Sequence, residues 1–530
     1  MTPTTTFEFR QQLQARRKMQ FPRQLITAFF LITAFSAGGA VRTGDDKRSP
    51  SPDFHYQSFS EADIQAVMQK PLTLSDCIRI ALTRNIALRI SQGDYNRAKA
   101  LHAGSYGRFL PVLSVEGFKT NEAVEADTSS SDTLQPVVRF TETNFGNQAR
   151  IFGRAQLYMP SGATIQFTTD LFRDAQFPLN VSRTKKNNRT YSVSLTQPLL
   201  RGAGPTVARS SFLGTGYDQQ IEEKSLFNRK LETVFAVKRA YYVALQQREL
   251  IKVNQSALLR DSTLVEASKA LIVARQATRR DVLSAEIRFA EDKAAFLASQ
   301  SDFEFALDNL KEVMGLPIDM PVALDSMGLS YTPVTLDEPD LVRQALANNP
   351  LIHSAEIAIS QNRLQRRVAK NTLLPQLDLV AAYSSKLETD LLTNRDLSRT
   401  GGWEARLNLS YPFLNREAGA KAEAAEIAVL QQQDRLLSLQ RETMIEVRDI
   451  VRGVYSAAAQ LDAIKRGIDV AQEKLDFANT MFNLGRASNF DITDAQESLL
   501  KAQNQYLRKL VDYHTQLALL ESLIGRPIKP

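Results

Sequence analysis

The stretch ATRRDVLSAE (277–286), closed downstream by MGLPI (314–318), occurs a second time as ASNFDITDAQ (487–496), closed by IGRPI (524–528). Asp281 and Asp491 are 210 positions apart, and so are Gly315 and Gly525. Between the ends of each copy runs an apolar residue at every seventh position. In the first copy these are Val282, Phe289, Phe296, Phe303 and Leu310; in the second, Ile492, Leu499, Tyr506, Tyr513 and Leu520. A sustained seven-residue spacing keeps one seam of an α-helix facing a partner and predicts left-handed coiled-coil packing, with these side chains in its core. Upstream, residues 217–314 contain neither Gly nor Pro. As one helix they would reach about 150 Å at 1.5 Å per residue. A reversal is therefore expected at Arg275 to Thr278, opposite Gly485 to Ser488 in the second copy, and each copy ends in a long helical hairpin.

Outward from the hairpins the doubling continues. TLSDCIRIALTRN (73–85) resembles TLDEPDLVRQALANN (335–349), and Leu110-Pro111 lies 264 positions before Leu374-Pro375. SLTQPLL (194–200) matches NLSYPFL (408–414) at an offset of 214, which leaves 50 extra residues in the first copy. Strand-like alternation flanks these motifs. Tyr191, Val193 and Leu195 alternate with Ser192, Ser194 and Thr196; Leu407, Leu409 and Tyr411 alternate with Arg406, Asn408 and Ser410. Inside the extra segment Ala155, Leu157 and Met159 lead through Pro160-Ser161-Gly162 to Ile165 and Phe167, a hairpin signal. Two readings are open there: a further pair of sheet strands, or an external loop with local pairing.

Composition narrows the class. The chain has 530 residues, 43% hydrophobic and 23% charged. A mean hydropathy of −0.25 excludes a polytopic helical membrane protein but not a transmembrane β-barrel, whose strands alternate polar and apolar residues. One cysteine and four scattered histidines offer no disulfide and no metal cluster, so neither metal nor cofactor is expected. Of the formal charge of +7, residues 1–40 hold +4, and the remainder is no nucleic-acid-binding balance. No GxxxxGK[ST], HExxH, GxSxG or dinucleotide fingerprint is present, so no enzyme activity is expected. Arg10, Arg16, Arg17, Lys18 and Arg23 precede the apolar run 25–40, which reads as an export signal starting at Met1 or Met19. The expected organisation is a signal peptide (1–40), a polar arm (41–70), leading helices (71–111), strands with a long insertion (112–200), a helical hairpin (201–318) and a linker (319–334). The second copy follows as leading helices (335–375), strands (376–414) and a helical hairpin (415–527).

Four or six strands per chain cannot close a membrane barrel, which needs about eight. Open strand edges are not tolerated in lipid, so several chains would have to share one barrel. From Pro71 to Pro527 the doubled pattern of LxxALxxN, LP, QPLL or YPFL, and GLPI or GRPI resembles the TolC family of outer-membrane efflux proteins. The segment LGRASNFDITDA (484–495) carries the most specific part of that resemblance.

The resemblance implies a mixed α and β membrane protein with two internal repeats per chain. It implies a homotrimer in which each chain gives four strands to a twelve-strand transmembrane β-barrel, and long coiled-coil helices form a periplasmic tunnel. It further implies outer-membrane lipid around the barrel, and a periplasmic adaptor and an inner-membrane transporter as partners. Asp491 and Asp494 match the two Asp that ring the family's closed periplasmic end, and share one helix face at i,i+3. On spacing alone the better reading is carboxylates that merely offset a helix macrodipole, and the motif match turns the choice to the gate. The expected docking tips are Val273, Ala274, Arg275 and Gln276, with Leu484, Gly485 and Arg486. Arg275 stands where the family usually has Gly, Phe482 where a Tyr is expected, and Ala487 where an Arg is expected, with Arg486 one place earlier. The competing readings are a secreted or periplasmic helical scaffold without a channel, and a periplasmic adaptor.

Overall fold

The computed structural model describes residues 70–129, 139–177, 184–273, 278–325, 329–390, 392–484 and 486–526. The expected signal peptide and nearly all of the polar arm lie outside these residues. So do Ala274, Arg275, Gln276 and Gly485 of the expected tips.

Two helices lead the first half, α1 (Leu74–Arg84) and α2 (Ile86–Ser105). A capping box starts α1: the Thr73 hydroxyl accepts from the Asp76 amide, and the Asp76 carboxylate accepts from the Thr73 amide. Four strands follow, β1 (Val112–Ser129), β2 (Arg139–Tyr158), β3 (Thr164–Phe177) and β4 (Thr184–Pro198). After the short α3 (Pro205–Ala208) come α4 (Ser210–Val273, 64 residues) and α5 (Arg279–Met314). The second half has leading helices α6 (Glu338–Asn348) and α7 (Pro350–Asn371) and two strands, β5 (Gln376–Asp390) and β6 (Arg395–Ser410). It ends with α8 (Arg416–Asn483, 68 residues) and α9 (Asn489–Ile524). At 1.5 Å per residue α4 and α8 each run about 100 Å.

Among the described residues six strands form one antiparallel sheet in the order β1-β2-β3-β4-β5-β6, each paired with its neighbours in sequence. The 50-residue excess of the first half is thus not a loop appended beyond the strands. It supplies β2 and β3, inserted between β1 and β4 with a continuous register on both sides. The reason is local. Met159 and Ala163 close the β2–β3 turn by a backbone bond of 2.7 Å. Gly162, at φ +94°, lets the turn approach the Gly202 carbonyl so closely that a Cβ would sit 2.7 Å from it.

The helices bury two related cores. In one, Cys77, Ile78 and Ala81 of α1 pack with Val237, Tyr241 and Leu245 of α4 and Leu310 and Met314 of α5. In the other, Leu341 and Ala345 of α6 pack with Val447 to Leu461 of α8 and Leu510, Tyr513, Leu520 and Ile524 of α9. The seven-residue seam behaves differently in the two hairpins. Ile492, Leu499, Tyr513 and Leu520 are buried as expected. In α5 only Val282 and Leu310 are, while Phe289, Phe296 and Phe303 are half-buried. The buried positions there are Ala285, Asp292, Ser299 and Ala306, three residues further along. Small side chains let α4 and α5 approach closely, and the bulky rings lie along the flank.

Gly315 and Gly525 end α5 and α9 in the left-handed conformation, each at φ +71°. A Cβ on Gly315 would lie 2.4 Å from the Arg84 carbonyl oxygen, at the end of α1. Gly315→Ala is therefore expected to destabilise the protein by about 2 kcal/mol or more, through positive-φ strain and this backbone clash. Thermal melts of the detergent-solubilised protein will read the loss.

Candidate gate at the helical tips

Both helices that leave the reversals begin with the same device. The Asp281 carboxylate accepts from the Thr278 amide at 2.9 Å and hydroxyl at 2.7 Å. The Asp491 carboxylate accepts from the Ser488 amide at 2.7 Å and hydroxyl at 2.8 Å. These bonds, that from the Ser488 amide first, hold the Asp491 carboxyl below the usual carboxylate range. Its capping contact is complete above its ordinary value near 3.8 and is lost as the pH falls below that. Asp491 thus caps α9 and remains exposed, a position that also suits a helix-start carboxylate.

Asp494, one turn on, is also exposed, and its Oδ2 accepts from Lys474 Nζ of α8 at 2.5 Å. Lys474 also donates to the Ser498 hydroxyl at 3.1 Å. Within the chain one expected gate carboxylate is therefore tied to its own helix start and the other to a lysine across the hairpin. Around them the tip exposes apolar side chains: Val273 at 86%, Leu484 at 63% and Phe490 at 77%. Arg486 is exposed, and its amide closes the turn on the Met481 carbonyl at 2.8 Å. Phe482 packs half-buried against the cluster of Leu264, Ala285, Leu475, Ile492 and Leu499 that joins the two hairpins near their tips.

Two features of this end escaped the sequence. Asn489 is buried, and its amide donates to the Ser268 hydroxyl at 2.6 Å and the Asp281 carbonyl at 3.1 Å. It fastens the start of α9 to both helices of the first hairpin; the only signal was a polar residue at the first position of a helix. Further along α4 and α5, Asp261 and Asp292 are buried beside Arg260 and Arg288. Burial, with the hydrogen bond and charge of Asp292, pushes the Asp261 carboxyl up to about 7. The signal was a carboxylate on each buried stripe: Asp261 between Ala257 and Leu264, and Asp292 seven residues after Ala285. No group of three or more His, Cys, Asp or Glu among the described residues is arranged to hold a metal ion.

The Asp261 pair predicts a pH dependence of known sign. The unfolded carboxyl ionises near 3.8 and the folded one near 7, so the folded state loses stability progressively between those values as the pH rises. Asp261→Asn is expected to melt at least about 2 °C higher than the parent at pH 8 and to converge on it toward pH 4. Paired thermal melts across that range will show whether the two curves meet.

Residues 341–526 match the family model described as outer membrane efflux protein. The outer membrane efflux protein BepC of Brucella suis is 24% identical over 339 residues, which cover 61% of this chain and 70% of BepC. The alkaline protease secretion protein AprF of Pseudomonas aeruginosa is 23% identical over 454 residues, covering 79% of this chain and 87% of AprF. Among solved structures, CusC aligns with a TM-score of 0.62 at 16% identity, covering 86% of this chain and 92% of CusC. The outer membrane protein VceC of Vibrio cholerae aligns with a TM-score of 0.61 at 14% identity, covering 86% and 97%.

Proposed function

We propose that this chain is a member of the outer membrane efflux protein family, whose model matches residues 341–526, and the outer-membrane channel of a tripartite efflux or secretion system. The observation that carries the reading is the two-faced sheet with open edges. Leu113, Ala155, Phe167, Val193, Tyr383 and Trp403 lie in register on one face across all six strands. Of these, Leu113, Tyr383 and Trp403 are 70%, 56% and 81% exposed in the single chain. A continuous apolar row facing outward suits lipid and not water. Among the described residues the outer edges of β1 and β6 carry no partner strand, and hydrocarbon does not tolerate unpaired backbone groups. Neighbouring copies of the chain satisfy them by closing a barrel, and three copies is the assembly the family implies.

The helices support the same assembly. On α8 and at its C-cap, Val470, Phe477 and Leu484 recur at seven-residue spacing and are 65%, 62% and 63% exposed. On α5, Leu283, Ile287, Leu297 and Phe305 are at least half exposed. Such unpartnered stripes fit contacts between helices of adjacent protomers, which would line a tunnel below the barrel. At the far end, exposed Val273, Leu484 and Phe490 offer knobs to a periplasmic adaptor, which in turn recruits an inner-membrane transporter. A helical scaffold without a channel has no use for the apolar sheet face. Mass measurement of the detergent-extracted protein is expected to give a trimer; a stable monomer that needs no detergent would refute the assembly.

Asp491 and Asp494 act in this reading as the gate. Threefold symmetry brings six carboxylates to the narrow end, where they select cations, while the buried seam from Ile492 holds the helices together against their repulsion. The Lys474 contact lowers the net charge of the Asp494 ring. In planar bilayers the resting conductance is expected to be small, cation-selective and blocked by divalent or trivalent ions from the periplasmic side. Replacing both Asp by Ala should weaken that block without dissolving the trimer, and an unchanged block would place the gate elsewhere.

A further inference from the structure

We infer that β2 and β3 are wall strands of the transmembrane barrel, so that three chains close eighteen strands and not twelve. The inference rests on the membrane-channel reading above and adds to it the size of the pore.

Three observations carry it. The first is topology. A hairpin belonging to an external loop turns on the outer side, beyond the strands it interrupts. Here the β2–β3 turn lies at the opposite end, beside the helices. Ala163 is 2% exposed, and a Cβ on Gly162 would meet the Gly202 carbonyl, Pro198 and Ala208. The ring of Tyr158, the last residue of β2, stacks on Phe109 at 5.9 Å, just after α2, and the Arg108 guanidinium lies 4.4 Å from its centre. The hairpin is thus anchored at the junction of sheet and helices, as a wall strand is.

The second is the alternation. The lipid-suited face continues through β2 and β3: Ile151 pairs with Leu171, Ala155 with Phe167, and Leu157 with Ile165, with the small Gly153 opposite Thr169 between the first two pairs. The intervening residues are mostly polar and continue the other face, where Gln156 pairs with Gln166 and Arg154 with Thr168. An aqueous loop has no reason to keep this period. The third is the polar face itself. Arg150 of β2 pairs with Asp170 of β3 at 2.5 Å, and the Thr168 and Ser192 hydroxyls meet at 2.5 Å. Side chains of the inserted strands therefore interlock with each other and with β4 on the side that would line the lumen.

Barrel diameter grows roughly in proportion to strand number, so eighteen strands give a bore about half as wide again as twelve. The lining contributed by β2 and β3 carries both signs of charge, in Arg150, Arg154 and Asp170. The outer-membrane passage is then wide and polar, and the helical tips are left as the constriction.

The test uses the full-length protein reconstituted in phospholipid vesicles. Cys77 is the only native cysteine; it is buried, and burial pushes its thiol up to about 12, so it stays silent toward a charged, water-soluble maleimide. Four single variants are compared: Gln166→Cys and Phe167→Cys in β3, Ala382→Cys and Tyr383→Cys in β5. If β3 is in the wall, Gln166→Cys and Ala382→Cys label roughly tenfold faster than Phe167→Cys and Tyr383→Cys, as lumen and lipid positions should. If the β5 pair alternates while the β3 pair labels equally, the hairpin lies outside the wall and the inference falls. If neither pair alternates, the membrane reading falls and takes the inference with it. Electron-microscopic maps of the unmodified assembly in detergent give an independent count: eighteen strands support the inference, and twelve overturn it.

Discussion

The backbone hydrogen bonds at the two edges of the sheet govern the rest of this molecule. Inside the sheet every strand finds partners on both sides, but among the described residues β1 and β6 each present an outer edge with no partner strand. In water that is an aggregation hazard, and in hydrocarbon each unsatisfied group costs several kcal/mol. The strand face that would meet lipid is the apolar one, so the sheet cannot escape to water without exposing that face. Self-association relieves both conflicts together. The exposed stripes on α5 and α8 follow the same logic: in the proposed assembly the helices would complete their seams where neighbouring chains meet.

Much of this was legible in the sequence because it is periodic. The seven-residue spacing from Ile492 to Leu520, the alternation around Tyr191 to Leu195, and the glycines that end the hairpins each encode a geometry directly. The place of the 50-residue excess was not legible. Its alternation gave strands but not their neighbours, because strand pairing is settled by long-range register and by the docking of one turn through Gly162. In α5 the seven-residue spacing pointed to the phenylalanines, yet the closest packing is made by Ala285 and Ala306. Spacing marks a face of a helix, whereas the depth of each position on it depends on how closely the partner approaches.

At the tips the local chemistry and the expected role of the same residue differ in scale. Asp491 caps its own helix, like Asp281 in the first half, and that is a property of one turn of one chain. A gate would be a property of three chains. The two roles are compatible, because a capped carboxylate is still charged and exposed. They have different consequences, since the cap fixes where the charge sits while the symmetry fixes how many charges meet. Asn489, buried between the hairpins, sets how firmly that charge is held to the first half of the chain.

Trp403 is the only tryptophan in the chain, and it stands on the edge strand β6, 81% exposed on the apolar face. In the proposed barrel β6 would gain a neighbour and that face would gain lipid, so the indole would pass from water into hydrocarbon. Indole emission moves to shorter wavelength in an apolar surrounding, and no second indole obscures the change. The fluorescence of the unmodified protein would therefore be a direct clock for the proposed barrel closure, recorded at the seam between chains.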